Sequence, residues 1–268
     1  MPINPYYLFA NGSRHLYQLL EKEQLFGTHY RFMNLGYWSG QMSYDEASVN
    51  LAMQLGHFAD LKKDQVILSV GCGFGDDVHI WHNHFQLGQS IGINSFAPQL
   101  KEAQQRYQND GIQFCQANAT ILPFQSNSIN SILALESALH FENREDFFKE
   151  ANRVLKPNGV IALADVILSH EKLNWTQKCL LKLATRVAKV PVANQHTLAA
   201  YQQKLQAAGF YSIEVKDVSK KVLKGFMLYL AHKLKDKQIK TPFALTILLF
   251  AFRRKMPVSY IMIKALKR

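Results

Sequence analysis

The sequence has little that would export it, anchor it in a membrane or cross-link it. Its three cysteines, Cys72, Cys115 and Cys179, are far apart and odd in number, which argues against a disulfide framework and against a zinc ligand set. The N-terminal residues show no basic segment followed by an apolar core, as a secretory signal would. The apolar run at 242–252 (PFALTILLFAF) is shorter than the roughly 20 residues that a bilayer-spanning helix needs. We therefore expect a cytoplasmic protein.

Acidic residues are scarce at the C-terminal end. Residues 1–215 hold 17 Lys and Arg against 18 Asp and Glu, whereas residues 216–268 hold 14 against 2. The net charge of +11 therefore comes from one segment and does not describe a nucleic-acid-binding surface along the whole chain. We expect no nucleic-acid partner. Instead, the pattern favours a basic amphipathic segment that contacts anionic membrane lipid, and a solvated basic face is the alternative.

Short β-branched runs begin at residue 65 and alternate with amphipathic stretches, which is typical of βαβ units. The predicted fold class is α/β, with a seven-stranded, mostly parallel sheet flanked by helices. The predicted strands are VILSV (66–70), SIGIN (90–94), IQFCQA (112–117), INSILAL (129–135), GVIALADV (159–166), YSIEVKDV (211–218) and VSYIMIKA (258–265). Predicted helices cover about 75–86, 98–109 and 143–155, and a turn at Pro157, Asn158 and Gly159 leads into the fifth strand.

Two regions are predicted from this pattern: a helical N-terminal appendage at 1–64 and a sheet domain at 65–268. Within the appendage, apolar spacing predicts one helix at 16–25 and another opened by Asp45 and Glu46. Two helical insertions, at 167–196 and 220–256, are predicted to be lids over the carboxyl edge of the sheet, where open α/β folds bind ligands.

The strongest local signal is VILSVGCGFGDDVHIW, a strand that runs into Gly71, Gly73 and Gly75 and then into a helix. Glycines at this spacing allow a tight turn, remove Cβ atoms where a ligand approaches the backbone, and aim helix N–H groups at an anionic group. The same turn also serves dinucleotide binding. Alone, it therefore leaves a dehydrogenase as an alternative.

Four further segments extend the pattern: FMNLGYWSG before the first strand, then GINSFAPQLKEAQQRY, QANATILPFQSNSINSILALESALHF and NREDFFKEANRVLKPNGVIALADV. In this order they resemble the successive motifs of class I S-adenosylmethionine-dependent methyltransferases. The small-molecule branch is most similar, with its sugar and macrolide O-methyltransferases and its sterol and tocopherol C-methyltransferases. The resemblance implies a Rossmann-like fold, S-adenosylmethionine as cofactor, and methyl transfer to a small, lipophilic molecule, with O-methylation favoured over C-methylation.

The resemblance also implies cofactor-binding residues. They are Val70, Gly71, Cys72, Gly73 and Gly75 around the methionine part, Asn94 at the ribose with Ser95 and Gln99 beside it, Asn118 and Ala119 at the adenine, Leu135, Glu136 and Ser137 beneath the sulfonium, and Tyr37 and Trp38 closing over the cofactor. No residue is assigned to a metal, because the histidines of HIWHNH have no cysteine to complete a ligand set.

Three residues are catalytic candidates. His140, after the fourth strand, is the predicted general base, and Asp165, at the end of the fifth, is predicted to orient it or to bind the acceptor hydroxyl. The alternative is that His140 holds a loop and Asp165 caps the lid helix. Glu136 would instead stabilise a cationic intermediate if the acceptor is an alkene.

The chain departs from the family pattern where Ser69, Asn94, Asn118 and Asn130 replace common acidic residues. Each lost charge-assisted hydrogen bond would weaken cofactor binding by about 1 kcal/mol. A catalytically impaired, cofactor-binding or membrane-associated protein of the same fold therefore remains an alternative. A dehydrogenase is disfavoured because the second strand ends in Asn94 and Ser95 rather than in an acid.

Overall fold

A computed structural model describes residues 27, 29–109, 111–170, 172–233 and 256–268. Its sheet has the strand order β3-β2-β1-β4-β5-β7-β6. The strands are β1 (Val66–Val70), β2 (Gln89–Asn94), β3 (Ile112–Gln116), β4 (Ile129–Leu135), β5 (Leu155–Leu168), β6 (Phe210–Asp217) and β7 (Val258–Lys267). Strands β1 to β5 pair in parallel, and β7 lies antiparallel between β5 and β6. The predicted seven-stranded, mostly parallel sheet is confirmed.

Seven α-helices flank the sheet within the described residues. They are α1 (Tyr44–Phe58), α2 (Asp76–Phe85), α3 (Ala97–Tyr107), α4 (Arg144–Val154), α5 (Trp175–Val187), α6 (Leu198–Ala207) and α7 (Gly225–Lys233). Short 3₁₀ turns occur at Ala138–His140 and Val192–Asn194, and a π-helical turn at Lys220–Lys224 precedes α7. None of the described helices has the length and apolarity needed to cross a bilayer.

The strands bury apolar side chains on both faces of the sheet, as parallel sheets covered by helices do. Leu68 of β1 belongs to the same buried cluster as Phe147 of α4 on one face, whereas the adjacent Ile67 and Leu51 of α1 belong to the cluster on the other. This alternation follows from the two-residue period of a strand. Because β1, β4 and β5 are parallel neighbours, the loops that follow them meet at one edge of the sheet, which we call the carboxyl edge.

The segment before the sheet is not separate from it. Helix α1 begins with a capping box between Ser43 and Glu46, which confirms the helix predicted from the acidic pair at 45–46. Its apolar face packs on the sheet, and the Trp81 indole donates a hydrogen bond of 2.8 Å to the Ala52 carbonyl. The helix predicted at 16–25 lies outside the described residues.

Two predicted boundaries were wrong. Strand β5 begins at Leu155, because the predicted turn at 157–159 is an irregularity inside the β4–β5 pairing, with Asn158 in the left-handed region (φ +61°). The strand also runs to Leu168, because its end pairs with Val258 of β7. The helical part of the first insertion therefore begins only at Trp175, after the Asn174 capping box. Of the second insertion, residues 234–255 lie outside the described part.

Candidate active site

The three glycines after β1 all have positive φ angles, but for different reasons. A Cβ at Gly71 (φ +80°) would lie 2.4 Å from the Cβ of Ser137, and a Cβ at Gly75 (φ +81°) would lie 2.6 Å from Cζ of Phe114. At Gly73 (φ +55°), a Cβ would meet nothing within 4 Å. Two glycines therefore permit close packing, and Gly73 alone faces open space.

This is the turn predicted to hold the methionine end of S-adenosylmethionine. Gly71 N and Cys72 N donate to the Ile93 carbonyl at 2.8 and 3.0 Å, which fixes the turn against β2. Gly75 is the N-cap of α2 and supplies no side-chain cap, so the helix N-terminus keeps backbone donors for a ligand. The open space at Gly73 would let a ligand approach the backbone without meeting a side chain. Cys72 is buried, and burial raises the pKa of its thiol well above the ordinary value.

The ribose candidates lie between the last residue of β2 and the first turn of α3, and the adenine candidates lie in the loop after β3. The Asn94 amide donates to Oε1 of the buried Gln99 at 2.8 Å, and its Oδ1 accepts from the backbone N–H of the exposed Ser95 at 2.9 Å. Gln99 therefore orients Asn94. In the next loop, the Oδ1 of the exposed Asn118 accepts hydrogen bonds from Thr120, and Ala119 is buried beside it.

The loop after β4 directly contacts the glycine turn. The Ser137 hydroxyl donates to the Val70 carbonyl at 2.5 Å. Between Ser137 and Leu135, Glu136 adopts the left-handed region with φ +51°, which is unusual for a residue with a long side chain. Its Oε1 accepts from Leu35 N at 2.9 Å and from the Tyr260 hydroxyl at 2.7 Å. Burial raises the pKa of this carboxyl from 4.5 to about 7.

The raised pKa of Glu136 predicts a pH-dependent stability. A carboxyl whose pKa is raised on folding favours the folded state fully below pH 4.5, and this contribution is lost as the pH rises through about 7. Between pH 5 and pH 8, we therefore expect wild type to lose more free energy of unfolding than Glu136→Gln does, by about 1–2 kcal/mol after screening. Denaturant unfolding at the two pH values measures this difference. Glu142→Gln, at an exposed carboxyl, is the control. Equal losses in wild type and Glu136→Gln would contradict the assignment.

The N-terminal motif contacts this loop through its backbone. Leu35 supplies the backbone donor to Glu136, and the Trp38 indole donates to the Leu35 carbonyl at 2.8 Å. Trp38 is buried and stacks on Tyr229 of α7 at a centroid distance of 4.9 Å. Tyr37 is half-buried, and its carbonyl accepts from Asn50 of α1. These contacts give Trp38 a packing role, and its cofactor contact remains a prediction.

His140 ends the 3₁₀ turn at Ala138–His140, three residues beyond the loop serine. Its backbone N–H donates to the Ser137 carbonyl at 2.9 Å, so the histidine is connected to the glycine turn through Ser137. His140 is exposed, but desolvation by nearby protein atoms lowers the pKa of its imidazole below 6.5, opposed by a hydrogen bond to the Lys189 backbone. The lowered pKa favours the neutral imidazole, which is the form that a general base needs.

Asp165 is fully buried and bonded to other groups. Its carboxylate pairs with Nη2 of the equally buried Arg144 at 2.9 Å and accepts from the Tyr201 hydroxyl at 3.0 Å and from Val166 N at 2.8 Å. Within the described residues, no hydrogen bond joins Asp165 to His140. Asp165 therefore acts on His140 as a nearby charge and through its partner Arg144, not through a direct hydrogen bond.

The sequence interpretation missed Arg144 and Asn194. Asn194 is buried just after the lid helix, and its amide donates to the carbonyls on both sides of His140, at 3.3 Å to Leu139 and 2.5 Å to Phe141. Its Oδ1 accepts from Arg144 N at 3.0 Å, and the Arg144 guanidinium donates to the Asn194 carbonyl. No sequence motif marks Asn194, because its partners are 50 or more residues away.

Ser69 and Asn130, which replace common acidic residues, and His79 of the HIWHNH segment all contact other side chains or the backbone of the fold. The Ser69 hydroxyl donates to the buried Asp77 carboxyl at 2.6 Å. Asp77 therefore places an acidic group beside Ser69, although β1 itself has no acidic residue there. Asn130 accepts from Val66 N at the amino end of β1, opposite the glycine turn, so its missing charge does not affect the cofactor region. His79 stacks on Tyr107, and within the described residues no cluster of His, Cys, Asp and Glu could hold a metal ion.

Comparisons with known proteins agree with this geometry. Residues 68–163 match the family model described as "Methyltransferase domain". The chain is 32% identical to erythromycin 3''-O-methyltransferase of Saccharopolyspora erythraea over 240 residues, which cover 86% of this chain and 78% of that protein.

Among solved structures, geranyl diphosphate C-methyltransferase from Streptomyces coelicolor superposes with a TM-score of 0.75 at 15% identity, covering 94% of this chain and 91% of that one. The cyclase SpnF superposes with a TM-score of 0.68 at 21% identity over 88% of each chain. At such identities these matches show the fold alone. The family model and the 32% identity to erythromycin 3''-O-methyltransferase show the family as well as the fold. The chain belongs to the S-adenosylmethionine-dependent methyltransferase family.

Proposed function

We propose that this enzyme transfers the methyl group of S-adenosylmethionine to a hydroxyl of a small, lipophilic molecule, with His140 as the general base. The observation that carries the proposal is the chain of contacts from His140 through Ser137 to the glycine turn. It connects the backbone of His140 to the turn that we propose holds the cofactor. The erythromycin 3''-O-methyltransferase, whose name describes a hydroxyl acceptor, supports the same reaction class.

The proposed cofactor site uses backbone and amide groups. The turn from Val70 to Gly75 holds the methionine part, Asn94 oriented by Gln99 meets the ribose hydroxyls, and Ala119 lies against the adenine. When bound, S-adenosylmethionine supplies an electrophilic methyl group. An amide at position 94 both donates and accepts, so it serves a ribose without an acidic residue.

The residues around the proposed base have separate roles in removing the proton of the acceptor hydroxyl. His140 takes the proton of the acceptor hydroxyl, which it can do because its pKa lies below 6.5. Asn194 and Arg144 hold the carbonyls and backbone around His140, and Asp165 balances the arginine charge. We assign Asp165 to positioning rather than to contact with the acceptor, since its oxygens already have three partners.

Replacing His140 by glutamine tests the proposal. Loss of the base should lower kcat by about 100- to 10,000-fold while S-adenosylhomocysteine binds as before, because His140 is not in the glycine turn. The wild-type rate should fall on the acid side only below pH 6.5. His84→Gln, at an exposed histidine of α2, is the control. A His140→Gln protein with near-normal turnover would exclude this residue as the base.

Carbon methylation is the second candidate, and it is favoured by Glu136. Its left-handed backbone and a carboxyl with pKa about 7 lie beside Tyr260 at the carboxyl edge. A carboxylate there would stabilise a cation formed on an alkene. An impaired, cofactor-binding protein of the same fold is the remaining alternative, and calorimetry that detects cofactor without turnover on any hydroxyl or alkene acceptor would favour it.

The proposal also covers the regions of the chain and the location of the protein. We propose that 1–64 forms a cap on the methyltransferase domain at 65–268, and that 167–196 and 220–256 are lids that line the acceptor pocket. The contacts of Asn194 with both sides of His140 support the first lid. A cytoplasmic location, with the basic C-terminal segment contacting anionic lipid, rests on composition alone.

A further inference from the structure

Helix α5, in the first lid, has an outward face that combines basic and apolar side chains. Its buried side is formed by Leu181 and Ala184. At helical spacing opposite to them lie two exposed rows, Trp175, Cys179 and Leu183 in one and Lys178, Lys182 and Arg186 in the other. Positions four apart on a helix form such rows.

The apolar side chains of this face are unusually exposed to solvent. Trp175 is 77% exposed, whereas Trp38 and Trp81, the other tryptophans of the chain, are buried. Leu183 is 43% exposed, and Val192, in the turn that follows, is 83% exposed. A large exposed aromatic ring in one helical row with an exposed leucine marks a surface that meets something apolar.

The charge of the face limits what that partner can be. No Asp or Glu occurs from residue 172 to residue 213, and within the described residues none of Lys178, Lys182 and Arg186 forms an ion pair. The face therefore offers positive charge and apolar surface together. An anionic lipid surface complements both, with its headgroups meeting the basic row and its acyl boundary meeting the ring of Trp175.

We propose that the outer face of α5 docks the enzyme onto anionic membranes, lying in the interface rather than crossing it. At 13 residues the helix is too short to span a bilayer. Since α5 follows β5 at the carboxyl edge, docking would place the lid against the lipid surface. The inference stands on the helix face and not on the identity of the acceptor, and it adds a second surface to the C-terminal segment.

The tryptophan of this face reports on docking directly. Adding vesicles of phosphatidylcholine and phosphatidylglycerol in equal parts to the full chain should shift tryptophan emission to shorter wavelength, because only Trp175 is exposed. Vesicles of phosphatidylcholine alone should cause little shift. In Trp175→Phe the shift should disappear, although the protein should still float with the anionic vesicles.

A charge variant tests the basic row. Lys178→Gln, Lys182→Gln and Arg186→Gln together should weaken partitioning onto the mixed vesicles by about 100-fold, at about five-fold for each charge. The control replaces three exposed lysines outside the lid, Lys62, Lys63 and Lys101, by glutamine. The C-terminal segment stays intact in every variant, and matching thermal melts check that each one is folded.

Four results would overturn the proposal. Flotation of the charge variant equal to that of the control, or vesicle binding without any change in Trp175 emission, would assign docking to another surface. No binding to the mixed vesicles would exclude a membrane. A shift that instead follows protein concentration, with a larger species in gel filtration, would show that a second copy of the chain covers α5. None of these assays uses cofactor or acceptor, so their failure leaves the proposed methyl transfer untouched.

Discussion

Replacing Gly73 by alanine is expected to weaken S-adenosylhomocysteine binding by about 10- to 100-fold while leaving the protein folded. The new methyl group would enter the open space that faces the proposed cofactor, where a misplaced methylene costs about 1–3 kcal/mol. The backbone conformation at φ +55° adds about 1–2 kcal/mol of strain to the folded state. Calorimetry measures the first effect, and denaturant unfolding the second.

Gly40 provides the matched control. It has φ +81° and, like Gly73, no atom within 4 Å of a Cβ, but it lies outside the glycine turn. Gly40→Ala should show similar strain and normal cofactor affinity. Gly71→Ala should fail differently, because its Cβ would overlap Ser137 and destabilise the turn itself. If Gly73→Ala binds the cofactor as tightly as wild type, the space at Gly73 is not the binding site.

The buried ion pair predicts the largest change in stability. Arg144→Met should lower the free energy of unfolding by about 3–5 kcal/mol, because it leaves the fully buried Asp165 without its counter-charge. The double variant Arg144→Met, Asp165→Leu should recover at least half of that loss, since the uncompensated charge is removed as well. Urea unfolding of the two single variants and the double variant measures the coupling.

An exposed pair supplies the control for this experiment. Lys149 and Asp146 are 2.9 Å apart on the surface of α4, and Lys149→Gln should cost less than about 1 kcal/mol. The double variant also separates the contribution of the Arg144–Asp165 pair to stability from its contribution to turnover. Because Arg144 donates to the Asn194 carbonyl, we expect a recovered fold with reduced turnover. Normal turnover in the double variant would mean that neither charge positions His140.

The sequence predicted most of the secondary structure because its signals are local. Strand and helix periodicity are properties of neighbouring residues, and all seven strands and the helices between them lie within a few residues of their predicted ends. The exceptions are the two ends of β5, where pairing with β4 and β7 extends the strand past a local turn signal. Long-range hydrogen bonds outweigh a turn preference there.

The candidate site was only partly predictable from the chain. The glycine turn could be recognised because its residues are contiguous, but the chain alone does not show that Gly71 and Gly75 pack against Ser137 and Phe114 while Gly73 alone stays open. Likewise, Asp165 has the residue type of a catalytic group, and only the fold shows that Arg144 and Tyr201 already occupy it.

By itself, then, the sequence determined the fold class, the order of the strands along the chain and the type of cofactor loop, since each depends on residues close together. The tertiary structure decided which polar groups remain available for chemistry. Asn194 and His140 are 54 positions apart, and hydrogen bonds at such separations depend on how the loops after β4 and β5 meet at one edge of the sheet. That meeting is a property of strand packing, which no local pattern encodes.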